Sequence, residues 1–172
     1  MASLEYIART VKYCSQRQLL REHLKNVASI AQRFSEEVSP NNILLERAAY
    51  LAGLLHDLGK YRLEFQELIA GQRARDTESA HAVYGAAAGC LRFESLMHGF
   101  AIAGHHAGLH DTSSLSTLVQ GGKFKAQERF PELIKTATQP NELPQNCWIC
   151  WEKCVKKKQI IAYMTIFIFC EM

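Results

Sequence analysis

Apolar residues recur every three or four positions from the twentieth residue onward, which is the period of an amphipathic helix. The apolar positions of this first segment are Leu20, Leu24, Val27, Ala31, Phe34 and Val38, with charged and polar residues between them. Ser39 and Pro40 end this helix and offer an N-cap and a first-turn proline to the next one. We predict a second helix over 42–58, apolar on all sides after Arg47 and therefore central, with Gly59 as a left-handed cap.

The rest of the chain continues in helical segments. We predict a short helix over 62–70 ending at Gly71, an exposed loop over 72–78, and an Ala/Gly-rich helix over 79–93 that continues over 94–105. A Ser/Gly-rich linker over 112–122 and a basic helix over 123–138, interrupted at Pro131, follow. No strand-like alternation of useful length occurs before residue 160, so we predict an all-α fold.

Composition restricts the class of protein. The 172 residues are 48% apolar, which suits one domain with a real core, and the net charge of +3 permits a phosphate-bearing partner. The first twenty residues lack a signal-peptide pattern, and the longest apolar run, 160–170, is shorter than the roughly 20 residues of a membrane span. Cys14 and Cys90 lie in helical patterns and are interpreted as reduced core thiols. We therefore expect a cytoplasmic protein without a membrane partner.

Histidines carry the most distinctive chemistry of the sequence. Five of the seven lie within or at the ends of apolar helices, namely His23, His56, His81, His105 and His106. Asp57 follows His56 in the most apolar segment, where an ionised carboxylate requires a cation. Imidazole and carboxylate together favour divalent Zn, Mn, Fe, Co or Ni. Each of these residues also has a purely structural interpretation. His23 alone fits a hydrogen-bonded core histidine, His56 and Asp57 fit an ion pair at a helix end, and His105 and His106 fit surface residues stabilised by the helix dipole. The combination of all of them favours a metal site.

Four segments resemble a known family. The stretch AAYLAGLLHDLGKYRLEFQELIAG resembles the HD-domain metal-dependent phosphohydrolases. Together with LREHL, SAHAVYGA and AIAGHHAGLHD, it is similar more narrowly to the HD nuclease of type I CRISPR interference, which is fused to or works beside a superfamily 2 helicase. The resemblance covers about residues 15–112. It implies an HD-domain helical bundle with a metal site among the central helices.

The resemblance also implies roles for particular residues. The metal ligands would be His23, His56, Asp57, His81, His105 and His106, with Asp57 bridging two divalent ions (Mn, Mg, Ni, Co or Fe) and the last three histidines on the second ion. Asp57 and Lys60 would be catalytic, with Lys60 facing the scissile phosphate. His98 and His110 match no motif position and are interpreted as solvated or structural.

The activity implied is hydrolysis of single-stranded DNA, as an endonuclease, an exonuclease or both, in antiviral interference. The strand would come from the CRISPR-associated helicase, on a separate chain or a fused segment, after an RNA-guided surveillance complex opens the duplex. Two ions about 3.5–4 Å apart can organise the attacking and leaving oxygens of such an in-line displacement. Arg62, Arg73 and Arg75 follow the HD motif and are expected either to track the strand's phosphates or to form an ordinary solvated loop.

The sequence departs from the family after the double histidine. The family supplies a further aspartate there, whereas the three aspartates of this chain are Asp57, Asp76 and Asp111, leaving only glutamates such as Glu128, Glu132, Glu142 and Glu152. The character of the sequence changes from about Pro140, so we predict a nuclease domain over 1–140 and a divergent or truncated tail over 141–172. Two other interpretations of the tail are weaker. One is a metal or iron–sulfur motif formed by Cys147, Cys150 and Cys154, and the other is a membrane or partner contact through Lys156–Lys158.

Two other functions stay open at this stage. One is an HD phosphohydrolase that acts on nucleotides or cyclic nucleotides. The other is a degenerate HD module that binds a helicase without cleaving, which the missing aspartate favours. No GxxxxGK[ST] phosphate loop is present, so any use of ATP would require another chain.

Overall fold

Helices dominate the part of the chain that the computed structural model describes, which is residues 5–10, 17–75, 81–92 and 95–120. The strands are β1 (Ile7–Thr10) and β2 (Arg17–Leu19), and the helices are α1 (Leu20–Val38), α2 (Ile43–Leu55), α3 (Leu63–Ile69), α4 (Ala82–Ala87), α5 (Leu96–Ala107) and α6 (Thr112–Gln120). A 3-10 turn, Leu58–Tyr61, follows α2, and a π-helical turn, Ala88–Arg92, follows α4. The predicted helical class is confirmed.

The two longest helices, α1 and α2, pack along each other. Small residues permit their close approach, because a Cβ atom at Gly53 would lie 2.7 Å from the Ala28 nitrogen. The bounds predicted for α1 are correct, but its apolar stripe does not stay in the core. Phe34 and Val38 are 38% and 55% exposed, while Ser35 is buried and its hydroxyl donates to the Gln32 carbonyl.

The ends of α2 differ from the prediction. Asn42, rather than Ser39, caps its N-terminus by accepting a hydrogen bond from the Leu45 amide. The helix ends at Leu55. The cap prediction for Gly59 is wrong because this residue lies inside the 3-10 turn; the glycines with positive φ among the described residues are Gly71 and Gly108. The prediction that α3 ends at Gly71 is confirmed, since the helix stops two residues before it.

The continuous helix predicted over 79–105 is divided in the structure into α4, the π-helical turn and α5. Ser95 starts α5 as a new helix, and its side chain accepts a hydrogen bond from the His98 amide. The predicted linker over 112–122 is wrong, since α6 occupies most of it. The reason is local: Asp111 accepts a hydrogen bond from the Ser114 amide, and Leu115 and Val119 are buried one turn apart.

A two-stranded antiparallel hairpin precedes α1 and was missed from the sequence. Ile7 pairs with Leu19, but strands of three and four residues are too short to show alternation. The core behind it contains large, fully buried side chains from α1, α2, the 3-10 turn and α5, namely Leu20, Leu24, Leu51, Leu54, Leu55, Leu58 and Ile102. None of the described helices is long and apolar enough to cross a membrane.

Predictions for several segments fall outside the described residues. These are Cys14, the basic helix over 123–138, the four candidate glutamates and the whole tail over 141–172. The domain boundary at residue 140 therefore stays a prediction.

Candidate metal centre

The six predicted metal ligands converge from four parts of the fold. His23 lies on the first turns of α1, and His56 and Asp57 directly follow α2. His81 lies immediately before α4, and His105 and His106 lie in the last turn of α5. Lys60 joins them from the 3-10 turn. The packing of α1 against α2 and of α4 against α5 therefore brings together residues that are far apart in the sequence.

Asp57 lies at the centre of this cluster and is only 1% exposed. Its Oδ2 atom lies 3.0 Å from His23 Nε2, 3.2 Å from His56 Nε2 and 2.6 Å from Lys60 Nζ. Its Oδ1 atom lies 3.1 Å from His81 Nε2 and 3.8 Å from His105 Nε2.

His106 extends the second group, because its Nε2 atom lies 2.8 Å from His81 Nε2. Two sets of donor atoms, each lying within 4.8 Å of one another, therefore share one carboxylate. We call them the Oδ2 group (His23, His56, Asp57) and the Oδ1 group (Asp57, His81, His105, His106).

Backbone carbonyls orient the two buried rings. The Nδ1 atom of His56 donates to the Gly53 carbonyl at 2.7 Å, and Nδ1 of His105 donates to the Ile102 carbonyl at 2.5 Å. A carbonyl can only accept, so these rings carry hydrogen on Nδ1 and direct Nε2 towards Asp57. Metal-ligating histidines are oriented in the same way, with the second ring nitrogen held by a carbonyl or carboxylate.

The charge of Asp57 also fits a cation site. Burial raises the pKa of Asp57, but the charge on His56 and the hydrogen bond with His23 outweigh it and hold this pKa well below its usual range. The carboxylate is therefore ionised. A neutral His56 ring would direct a lone pair at a carboxylate oxygen 3.2 Å away, so this contact requires a positive charge, either a proton or a metal ion. Oδ1 is buried and accepts no hydrogen bond of regular geometry from the described residues. The donor set fits a divalent metal.

The sequence match to a known family agrees with this geometry. Residues 20–143, well over half of the chain, match the HD domain. The chain belongs to the HD domain family. Members of this superfamily are typically metal-dependent hydrolases, and the His/Asp cluster of this HD domain could hold a metal. No curated protein matches the chain.

Gly59 positions the Oδ1 group of this HD domain, a role that sequence reasoning missed. A Cβ atom at Gly59 would lie 2.7 Å from His81 Cα and closer still to the His81 carbonyl oxygen. The absence of a side chain therefore lets the backbone of His81 lie directly against the HD turn. The glycine itself was noticed in the sequence, but the partner that requires it is 22 residues away.

Gln66 holds the turn that contains Lys60 by hydrogen bonds, and no pattern in the neighbouring sequence predicted this role. Its Nε2 atom donates to the Lys60 carbonyl at 2.6 Å and to the Ile7 carbonyl at 3.0 Å, while its Oε1 atom accepts from the Ile7 amide at 2.9 Å. The side chain thus joins β1 to the HD turn. An aromatic contact joins the same two parts of the chain, because the ring of Tyr6, next to β1, has its centroid 5.0 Å from that of Tyr61 in the HD turn.

Other residues singled out in the sequence lie apart from the centre. Arg62 is 7% exposed, pairs with Glu64 at 3.2 Å and stacks on the Tyr84 ring. It therefore fits neither of the two expectations for it, a contact with a strand's phosphates or a place in a solvated loop. Arg73 pairs with Glu67 at the surface.

His98 is buried, with Nε2 donating to the Ala48 carbonyl and Nδ1 accepting from the Ser95 hydroxyl, which is a structural role and not a solvated one. Burial raises the pKa of Cys90 to about 11, in agreement with an inert reduced thiol.

Proposed function

We propose that this HD domain is a metal-dependent phosphodiesterase that cleaves single-stranded DNA in CRISPR interference. The observation that carries the hydrolase part is the position of Asp57, whose two oxygens each face a separate group of imidazoles. The nuclease part is supported by the SAHAVYGA and GHHAGLHD segments, which contain His81, His105 and His106 of the Oδ1 group.

The chain's own residues supply an organised site for phosphodiester hydrolysis. Two divalent ions, when bound, would provide a hydroxide nucleophile near neutral pH and stabilise the leaving oxygen of an in-line displacement. Asp57 holds the two groups at a fixed spacing, and the carbonyls of Gly53 and Ile102 keep two rings from turning. Since neutral imidazoles add no negative charge, the loaded site would remain cationic and attract a phosphate.

The exposed side of the cluster indicates where a substrate would enter. The side chains of His56 and His105 are buried, whereas His23 and His81 are 20% and 17% exposed and His106 is exposed. A phosphodiester would therefore approach across His23, His81 and His106, with the Lys60 ammonium beside Asp57 adding positive charge at the transition state. Such contacts position a strand without reading its bases, as a helicase-fed nuclease requires.

The test is cleavage of circular single-stranded DNA by the purified chain with Mn²⁺, Ni²⁺, Co²⁺ or Mg²⁺. We expect cleavage by the parent protein and none by Asp57→Ala. Glu36→Ala is the matched control, because it removes an exposed carboxylate near the C-terminal end of α1, several turns away from His23. Circular DNA separates cutting within the strand from digestion of ends.

The other two functions appear as distinct results of the same assay. Release of phosphate or nucleoside from nucleotides, with long strands left intact, would replace the nuclease by a nucleotide phosphohydrolase. Stoichiometric metal without cleavage of either substrate would indicate a non-catalytic module that binds a helicase. The proposed antiviral setting further predicts that a CRISPR-associated helicase and an RNA-guided complex stimulate cutting.

A further inference from the structure

We infer that Lys60 makes the two halves of the metal centre unequal, so that the Oδ1 group takes up metal before the Oδ2 group. This inference rests on the metal site of the proposed function and assigns to Lys60 the control of metal uptake at that site. It concerns the order and strength of metal uptake, which are measured without any substrate.

The two oxygens of Asp57 have different neighbours. The Lys60 ammonium lies 2.6 Å from Oδ2, closer than either histidine of the Oδ2 group. On the Oδ1 side, the charged or ionisable side chains in contact are His81 and His105, with His106 behind them, and all three are imidazoles. Among the described residues, a lysine ammonium group therefore contacts Asp57 on one half of the centre only.

Lys60 is held in this position by its own backbone. Its amide donates to the Asp57 carbonyl at 2.9 Å, and its carbonyl accepts from Gln66 Nε2 at 2.6 Å. Its ammonium lies 5.5 Å from the centre of the Phe65 ring, and its side chain is only 14% exposed. The ammonium is therefore part of the folded site and not a mobile surface charge.

A divalent ion joining the Oδ2 group must share Oδ2 with this ammonium or displace it. Both are unfavourable, because like charges repel at short range and because breaking a part-buried charged contact costs free energy. An ion joining the Oδ1 group meets no such competitor and has three imidazoles available. Displacement also has a consequence for Lys60, because an ammonium released from Asp57 becomes available to a phosphate on the exposed side.

The experiment is calorimetric titration of the metal-free full-length chain with Mn²⁺ near neutral pH. We expect two unequal binding steps for the parent protein. Lys60→Met should tighten the weaker step about tenfold, equivalent to about 1.4 kcal/mol, and leave the stronger step unchanged. Lys60→Arg, which keeps the charge, should retain the parent pattern. Arg47→Met removes an equal charge from the exposed surface of α2 and should change neither step.

Two histidine variants assign the steps to their groups. His23→Ala should abolish the weaker step, and His106→Ala should weaken the stronger one. Thermal unfolding gives a second measurement. Lys60→Met should lower the melting temperature of the metal-free protein, and Mn²⁺ should raise the melting temperature of this variant by more than it raises that of the parent protein.

Several results would overturn the inference alone: equal steps in the parent protein, no tightening in Lys60→Met, or the reverse assignment of the two histidine variants. A parent protein that binds no Mn²⁺, Co²⁺ or Zn²⁺ would instead overturn the proposed function, and this inference with it.

Discussion

Replacing Gly59 by alanine tests whether close backbone contact builds the Oδ1 group. The added Cβ would lie 2.7 Å from His81 Cα, whereas an ordinary contact begins at 3.4 Å, so full relief of this contact requires a separation of 0.7 Å, and relief of the closer contact with the His81 carbonyl oxygen requires more. That displacement is large beside the 3.1 Å between His81 Nε2 and Asp57 Oδ1. We expect a loss of about 1–3 kcal/mol in the free energy of unfolding from overpacking. Metal affinity should fall about 10- to 100-fold, as when the support of a ligand is removed.

The assay combines urea unfolding with Mn²⁺ titration of the parent protein and the variant. Gly104→Ala is the control, because it adds the same methyl group next to His105 but its Cβ would meet nothing closer than 3.9 Å. Alanine inside a helix also gains up to about 1 kcal/mol over glycine, so the control should be at least as stable as the parent. A Gly59→Ala protein with unchanged stability and unchanged metal affinity would refute the steric argument.

Two further predictions concern residues outside the ligand set. Burial lowers the pKa of His98 to about 4 from its ordinary 6.5, so the unfolded chain takes up a proton that the fold excludes, and stability should fall by up to about 3 kcal/mol as the pH drops from 6.5 to 4. In urea unfolding between pH 6.5 and 4, the free energy of unfolding should fall less steeply with decreasing pH for His98→Gln than for the parent protein. The same pH dependence in both proteins would contradict the prediction that His98 is buried without a proton. Gln66→Met removes three hydrogen bonds to Ile7 and Lys60, so we expect about 1–3 kcal/mol of destabilisation and faster hydrogen exchange at the Ile7 amide. Unchanged exchange at Ile7 would show that Gln66 does not hold β1 to the HD turn.

Much of the helical framework could be predicted because its signals are local. The apolar period from Leu20 to Val38 predicts α1 with the bounds that the structure has, since a helix places every third or fourth residue on one face. The interpretation of α2 as a central helix was also correct, as most of its residues from Leu45 to Leu55 are buried.

The fold was predicted wrongly where short sequence patterns favoured more than one local structure. Serines and glycines suggested a linker over 112–122, but Asp111 caps this segment, and Leu115 and Val119 pack it into the core as α6. The hairpin of β1 and β2 is too short to show a period, and its position is defined by contacts with α1 and α3, which lie farther along the chain. The exposure of Phe34 and Val38 was equally undetectable, because the apolar period does not reveal which apolar positions another element covers.

The chain's residue types alone determined which side chains are available for metal binding: an acid in an apolar segment and histidines at the helix ends. Tertiary structure decided how they are shared, placing His23 and His56 on one oxygen of Asp57 and His81 and His105 on the other. It also placed Lys60 on a single oxygen and buried Arg62 under Tyr84, neither of which follows from spacing along the chain. The physical reason is that helix periodicity is a property of neighbouring residues, whereas the direction of a side chain towards a distant carboxylate depends on how helices pack.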